Sequence, residues 1–391
     1  MKLSKAQINE HDDSEALLAQ VLAAYEKQQV LSIQGNGSKA FLTHPVKGES
    51  LSTSAHQGII NYFPSELTIT VRSGTLLSDL QTVLAENGQM LPFEPPAYAD
   101  NATIGGTIAT GLSGPARAFA GSARDYVLGC KIINGRGELL KFGGEVMKNV
   151  AGYDLSRLIS GSFGGLGVIL EVSLKLLPKV EVQTLSFSMS QSQFPAQVQA
   201  LLLAGFPITA ACYVAEEQTE NQEEQGQAYI RLSGSSKGVA YSSQEMQQVL
   251  EAEYVVEMAD ASFWLSLNEQ QLPFFKQDKP LWRISLPRIT LPNIRDDFSS
   301  QLLAGDRQLI DWAGALRWLY SDQDADTIRR FASQQGGHAQ LYRVNNMSDE
   351  LSHTLARQQP LTAAMLKVHQ QIKRAMDPAG ILNPGCIYPD L

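Results

Sequence analysis

Ile33-Gln34-Gly35-Asn36-Gly37-Ser38-Lys39 is the stretch on which the reading of this chain turns. The apolar run over 30–33 predicts a short strand, and it runs straight into a loop with two glycines. Backbone N–H groups in such a loop can converge on a phosphate, and glycine lets the ligand come close. Two familiar phosphate loops are excluded. No Gly-Lys-Ser/Thr ends the loop, and the third glycine of GxGxxG is missing. An ordinary turn between strands would carry the same residues, so the decision lies further along. Thr103-Ile104-Gly105-Gly106-Thr107-Ile108-Ala109-Thr110-Gly111 sets paired glycines after a threonine, where backbone can lie against a flat ring. Gly161-Ser162-Phe163-Gly164-Gly165-Leu166-Gly167-Val168-Ile169 is a third cluster. Of the 31 glycines, 15 fall within 101–170. Three glycine loops at strand ends in one region predict a single extended ligand lying across them.

Outward from these loops the patterning is mixed. Apolar spacing predicts a helix over 15–27, a strand over 67–71, and a helix over 75–87 closed by Gly88. The runs 126–134 and 138–142, joined by Gly135-Arg136-Gly137, read as a hairpin. A strand over 168–177 is expected to stop at Pro178. Beyond 180 the polar stretch 216–225 reads as an exposed loop. Strand-like and helical runs follow over 229–232, 243–253, 281–286 and 314–320. A last helix over 361–376 ends before Asp377-Pro378. A chain of 391 residues is too long for one ordinary core, so two α+β domains are expected.

Hydrophobic residues make up 43% and charged residues 18%, as in a packed protein. The net charge of −9 and the lack of a dense Lys/Arg stretch argue against a nucleic-acid partner. Cys130, Cys212 and Cys386 share no CxxC spacing, so no metal or iron–sulfur site is expected in this chain, and their sparseness fits a reducing, cytoplasmic setting. No apolar leader and no stretch of about 18 apolar residues is found, so neither a secretory signal nor a transmembrane segment is expected. Any membrane contact, at the inner face of the cytoplasmic membrane, would come through partners.

The order of these motifs resembles the FAD-binding fold of the vanillyl-alcohol-oxidase type. It resembles more closely the FAD-binding E subunits of bacterial glycolate oxidases. The resemblance runs from about residue 15 to the end. It is carried most specifically by Lys148-Asn149-Val150-Ala151-Gly152-Tyr153-Asp154-Leu155-Ser156-Arg157-Leu158, Leu281-Trp282-Arg283-Ile284-Ser285-Leu286-Pro287 and Asp311-Trp312-Ala313-Gly314-Ala315-Leu316-Arg317-Trp318. It implies an FAD-binding domain over 1–180, an α+β cap over 181–345, and a segment 346–391 that returns to the first domain. It further implies that Gly35, Asn36, Gly37 and Ser38 cradle the FAD pyrophosphate. Thr103, Gly105 and Gly106 would line the flavin. Gly161, Ser162, Gly167 and Ile169 would meet the adenine and ribose side, and Asn383 would reach towards the isoalloxazine. Some members attach FAD through a histidine in the first loop. Here that loop has none, so FAD is expected to be non-covalent. The implied partners are a second FAD subunit and an iron–sulfur subunit.

Oxidation of a small 2-hydroxy acid needs an acceptor for the α-hydride, a base for the hydroxyl proton and a cation for the carboxylate. Arg283, Arg317 and Arg343 are the candidate cations; Arg283 and Arg317 each lie within an apolar run where an ordinary buried ion pair is the competing reading. His338, after Gly336-Gly337, is the candidate base, against a merely solvated loop histidine. Related dehydrogenases carry an HxGDGNxH metal segment in the cap, and this chain lacks it. Three functions therefore stand side by side. The first is a redox-active FAD subunit of glycolate oxidase. The second is a stand-alone FAD-dependent oxidoreductase of 2-hydroxy acids or alcohols. The third is a scaffold subunit with a vestigial flavin pocket.

Overall fold

The computed structural model describes residues 10–144, 155–216, 225–287, 308–344 and 356–391. Most of the resembling stretch at 148–158 and nearly all of the polar loop at 216–225 lie outside them. The chain divides into two compact units. The first comprises Met1–Gly114, Gly121–Lys179 and Pro360–Leu391; the second comprises Pro115–Ala120 and Val180–Gln359.

The first unit opens with helix α1 (Ser14–Lys27), whose Leu17, Val21 and Ala24 repeat at helical spacing and are buried. Strands β1 (Leu31–Gln34) and β2 (Glu49–Ser52) pair in parallel. A five-stranded antiparallel sheet follows in the order β3 (Ile59–Phe63), β4 (Thr68–Arg72), β8 (Val168–Lys175), β6 (Val127–Ile133), β7 (Leu139–Gly143). β8 is apolar on both faces because it divides two cores. Ile169, Val172 and Leu174 pack with helix α2 (Leu77–Glu86), whereas Val168 and Leu170 pack with α1 and β1. Each such side chain removed from water contributes about 1.5–3 kcal/mol. Pro178 does not end the ladder: with Leu177 it forms β9 (Leu177–Pro178), paired with β5 (Gln89–Met90). A proline fits there because the pair is short and sits at an edge.

The second glycine cluster is a helix, α3 (Ile104–Thr110), not a loop. Thr103 caps it, its Oγ1 accepting the Gly106 N–H at 3.2 Å, and Gly111 closes it at φ 64°. The predicted hairpin forms as expected in β6 and β7. Its turn is fixed by Asn134, whose side-chain oxygen accepts from Arg136 N and Glu138 N.

The second unit is built on one eight-stranded antiparallel sheet. Its order is β13 (Val256–Met258), β10 (Glu181–Ser190), β12 (Gln225–Gly234), β11 (Ile208–Ala215), β15 (Gln308–Asp311), β16 (Leu316–Tyr320), β14 (Leu281–Ser285), β17 (His338–Arg343). Its helices are α4 (Arg117–Ala120), α6 (Phe194–Leu203), α7 (Ser236–Leu250), α8 (Phe263–Asn268) and α9 (Ala325–Gln334), while α5 (Leu155–Ile159) belongs to the first unit. α7 begins seven residues before the predicted start at 243, capped by Ser235, whose Oγ accepts from Gly238 N. His338 lies at the start of a strand rather than in a loop. Among the described residues no helix is long and apolar enough to cross a membrane.

The last helix, α10 (Ala363–Met376), belongs to the first unit, as does the tail after it. Leu31 N donates to Ile381 O at 2.7 Å and Asn383 N to Leu31 O at 3.1 Å, so the tail extends the β1–β2 pair. Asp377, fully buried, accepts from Ile381 N and Leu382 N and pairs with Lys373 Nζ at 2.8 Å.

Candidate functional site

A cavity of about 360 Å³ opens in the first unit, within the range of small-molecule sites. The loop after β1 forms one wall with Gly35, Asn36, Gly37 and Ser38. No protein acceptor among the described residues receives the backbone N–H of any of these four. Gly37 holds φ 75°, which turns the loop back on itself. Asn36 fixes the loop from outside, its Nδ2 donating to Asn101 O at 2.8 Å.

Lys39 adds the charge. It is 6% exposed, its Nζ donating to Ala97 O at 3.2 Å and standing 5.9 Å from the centre of the Tyr98 ring. Among the described residues the cavity lining contains no Asp or Glu, and Lys39 and His44 are its only basic side chains. Four free N–H donors, a buried ammonium and no opposing carboxylate fit a pyrophosphate.

α3 supplies an adjoining wall through Thr103, Gly105, Gly106, Ala109 and Thr110. Its N–H groups are not available to an anion: Ile104 N donates to Thr75 O, Gly105 N to Ser73 O, and Gly106 N to Thr103 Oγ1. The helix therefore offers a surface rather than a phosphate grip. Gly105 is glycine for packing, since a Cβ there would stand 2.6 Å from Ser73 Cβ. A Cβ on Gly35 would collide with Thr103 Oγ1, so the first two clusters lie in direct contact.

The third cluster is hung from the end of α3, with Gly161 N donating to Ile108 O and Phe163 N to Ala109 O. Phe163, Gly164, Gly167 and Ile169 line the cavity; Gly161 and Ser162 do not. Gly161 makes the turn at φ 86°, and Ser162 Oγ donates inward to Ile159 O at 2.8 Å.

Asn383 also lines the cavity, but its amide is committed to protein backbone. Its Oδ1 accepts from Ile33 N at 2.7 Å, and its Nδ2 donates to Ile33 O at 3.1 Å and to Phe163 O at 2.8 Å. It joins β1 to the third cluster instead of reaching outward. Lys373 acts in parallel, its Nζ donating to Gly165 O and Leu382 O. Cys386 stands on the same wall, its thiol pushed up to about 11 by burial.

The candidate catalytic residues lie in the second unit and are not all together. Arg283 pairs across the sheet with Trp318, and Ile284 with Arg317, so the two arginines point to opposite faces. Arg317 is 1% exposed on the face covered by α9. Ser285 pairs with His338, which places His338 diagonal to Arg283 on the same face. His338 is open to solvent on one side. Packing around the ring lowers its pKa, and the guanidiniums of Arg283 and Arg117 lower it further. Sequence reasoning gave no role to Lys39, Arg117 or Trp312. A lysine directly after the glycine loop was the available signal for the first. Arg117 carried none, because its chain segment reads as a connection.

A family of FAD-binding domains matches residues 8–143. The glycolate oxidase subunit GlcE of Escherichia coli is 43% identical over 385 residues, covering 98% of this chain and 100% of that protein. The glycolate oxidase subunit GlcD of Bacillus subtilis is 34% identical over 142 residues, 36% of this chain and 30% of its own. Among solved structures an alkyldihydroxyacetonephosphate synthase superposes with a TM-score of 0.67 at 14% identity, over 95% of this chain and 75% of that one. The cradle, the cavity and the end-to-end identity agree: the chain belongs to the GlcE family of FAD-binding glycolate oxidase subunits.

Proposed function

We propose that the chain is the FAD subunit of an assembly that oxidises glycolate to glyoxylate and passes the electrons to a second FAD subunit and an iron–sulfur subunit. The observation that carries this reading is the run of four N–H donors at Gly35–Ser38 unclaimed among the described residues, on a cavity whose described lining holds no carboxylate, in a chain 43% identical over 98% of its length to a GlcE subunit. Gly35, Asn36, Gly37 and Ser38 would hold the pyrophosphate, with Lys39 offsetting its charge. Thr103, Gly105 and Gly106 would bound the cofactor on one side, and Gly167 and Ile169 on the other. FAD, when bound, supplies the two-electron acceptor for the α-hydride.

The second unit would serve the substrate. Arg283 offers a planar guanidinium to the carboxylate. His338 accepts the hydroxyl proton, and its lowered pKa keeps the ring neutral near pH 7, the state a base requires. Arg317 is buried on the opposite face of the sheet, away from Arg283 and His338. The sharing of one face by Arg283 and His338 also favours a second reading, in which this chain performs the oxidation without partners.

The visible spectrum of the purified chain tests the proposal. A yellow protein bleached by glycolate under anaerobic conditions is expected. A chain that is colourless and cannot be loaded with flavin overturns it. A yellow chain that glycolate leaves unbleached, within an active complex, moves hydride removal to the partner. Acid precipitation should leave the flavin in the supernatant. A yellow pellet would instead mean covalent attachment, with His44 and Cys386 the nucleophiles on the cavity wall.

A further inference from the structure

The loop after β1 is tied to the loop before α3 by a reciprocal pair of asparagines. Asn36 Nδ2 donates to Asn101 O at 2.8 Å, and Asn101 Nδ2 donates back to Asn36 O at 3.3 Å. The two bonds do different work. The first holds a side chain of the glycine loop, the second its main chain. Asn101 does not line the cavity, whereas Asn36 and Gly37 do.

The carbonyl of Asn36 and the N–H of Gly37 belong to one peptide. In a planar trans peptide the two point in opposite directions. Holding Asn36 O against Asn101 therefore turns the Gly37 N–H away from Asn101. The carbonyls on either side are fixed elsewhere, Gln34 O accepting from Thr53 N at 3.0 Å and Gly37 O from Ala40 N at 3.0 Å. Among the described residues, Asn101 is the only donor to Asn36 O.

This peptide is one that can turn over. It precedes a glycine at φ 75°, and glycine takes either sign of φ about equally well. Type I and type II turns differ by such a reversal of the central peptide. The reversed peptide would present a carbonyl oxygen where an anion needs a donor. We propose that Asn101 is a positioning residue that latches the Asn36–Gly37 peptide with its N–H toward the cavity, and so sets the polarity of the loop for a pyrophosphate. The latch deepens the flavin reading and rests on it.

Fluorescence titration of the flavin-free full chain with FAD reads the latch. Asn101→Ala removes only the bond to Asn36 O, because Asn101 O remains to accept from Asn36 Nδ2. Asn36→Ala removes only the other bond. Asn101→Ala should raise the Kd for FAD about tenfold or more with the Tm of the flavin-free chain unchanged, and Asn36→Ala less than about threefold. Asn101→Asp is equal in size but sets an oxygen against Asn36 O. It should raise Kd further than alanine does, and it decides the matter if the alanine variant fails to fold. Native FAD affinity in folded Asn101 variants overturns the latch. An Asn36→Ala effect as large as that of Asn101→Ala, or an affinity loss matched by a lower Tm of the flavin-free chain, also overturns it, since the pair would then merely tie two loops together. Calorimetric titration with inorganic pyrophosphate separates the latch from the flavin reading. Pyrophosphate binding that depends on Asn101, in a chain that takes up no flavin, would sink the flavin reading and leave the latch standing.

Discussion

Asn383 shows how much one side chain can hold. Its amide closes three hydrogen bonds to two segments some 350 and 220 residues away in sequence. Asn383→Ala would leave Ile33 N, on a partly buried strand, without its acceptor, a loss of about 1–3 kcal/mol. We expect a lower urea midpoint and at least tenfold weaker flavin binding, measured by fluorescence titration. Asn383→Asp should not rescue it, because a carboxylate keeps the acceptor but faces two carbonyl oxygens. The family pattern marked this residue, yet not what it touches, since the partners of an amide are set by chain segments that only folding brings together. The same limit applied to Arg283 and Arg317. Both read as arginines in apolar runs, and only the strand register separates the solvent-reached one from the buried one.

At the scale of elements, the amphipathic helices and the hairpin were legible because their apolar periods are unambiguous: Leu77, Leu80 and Leu84 are all buried, as their spacing requires. The stretch 103–111 was not. Its two adjacent glycines and its β-branched residues all weaken helix propensity, and tertiary contact overrides them. What makes the helix is its start. Thr103 caps it, and Ile104 N and Gly105 N are taken by Thr75 O and Ser73 O. Thr103→Ala should therefore cost about 1 kcal/mol, seen as a lower Tm, whereas Thr103→Ser should keep most of it. Because Gly35 rests against the Thr103 side chain, the alanine variant should also loosen the first glycine loop and raise the Kd for FAD. Equal Tm values for alanine and native chains would remove the cap from this account.

Across the whole molecule, the sequence led us to expect a C-terminal segment 346–391 returning to the first unit; that unit takes the chain back from Pro360, and the passage of Pro115–Ala120 into the second was hidden. Six residues between glycines carry no periodic pattern to announce which core they join. The three cysteines give a check on both units together, since Cys130, Cys212 and Cys386 are 4%, 0% and 5% exposed. With its pKa near 11, Cys386 is ionised to only roughly one part in a thousand at pH 8, and burial also raises Cys212. Thiol titration at pH 8 should find no reactive cysteine in the native chain and three in denaturant. Rapid labelling of the native protein would contradict this packing. The tail has a consequence for biosynthesis as well. Asn383 and Cys386 line the cavity, and the tail that carries them pairs with β1 and holds the third glycine cluster through Asn383, yet these residues are translated hundreds of residues after the loop they complete. A nascent chain still holding them in the ribosomal tunnel has an unfinished pocket, so cofactor capture waits for their emergence and cannot guide the early folding of the domain that will carry it.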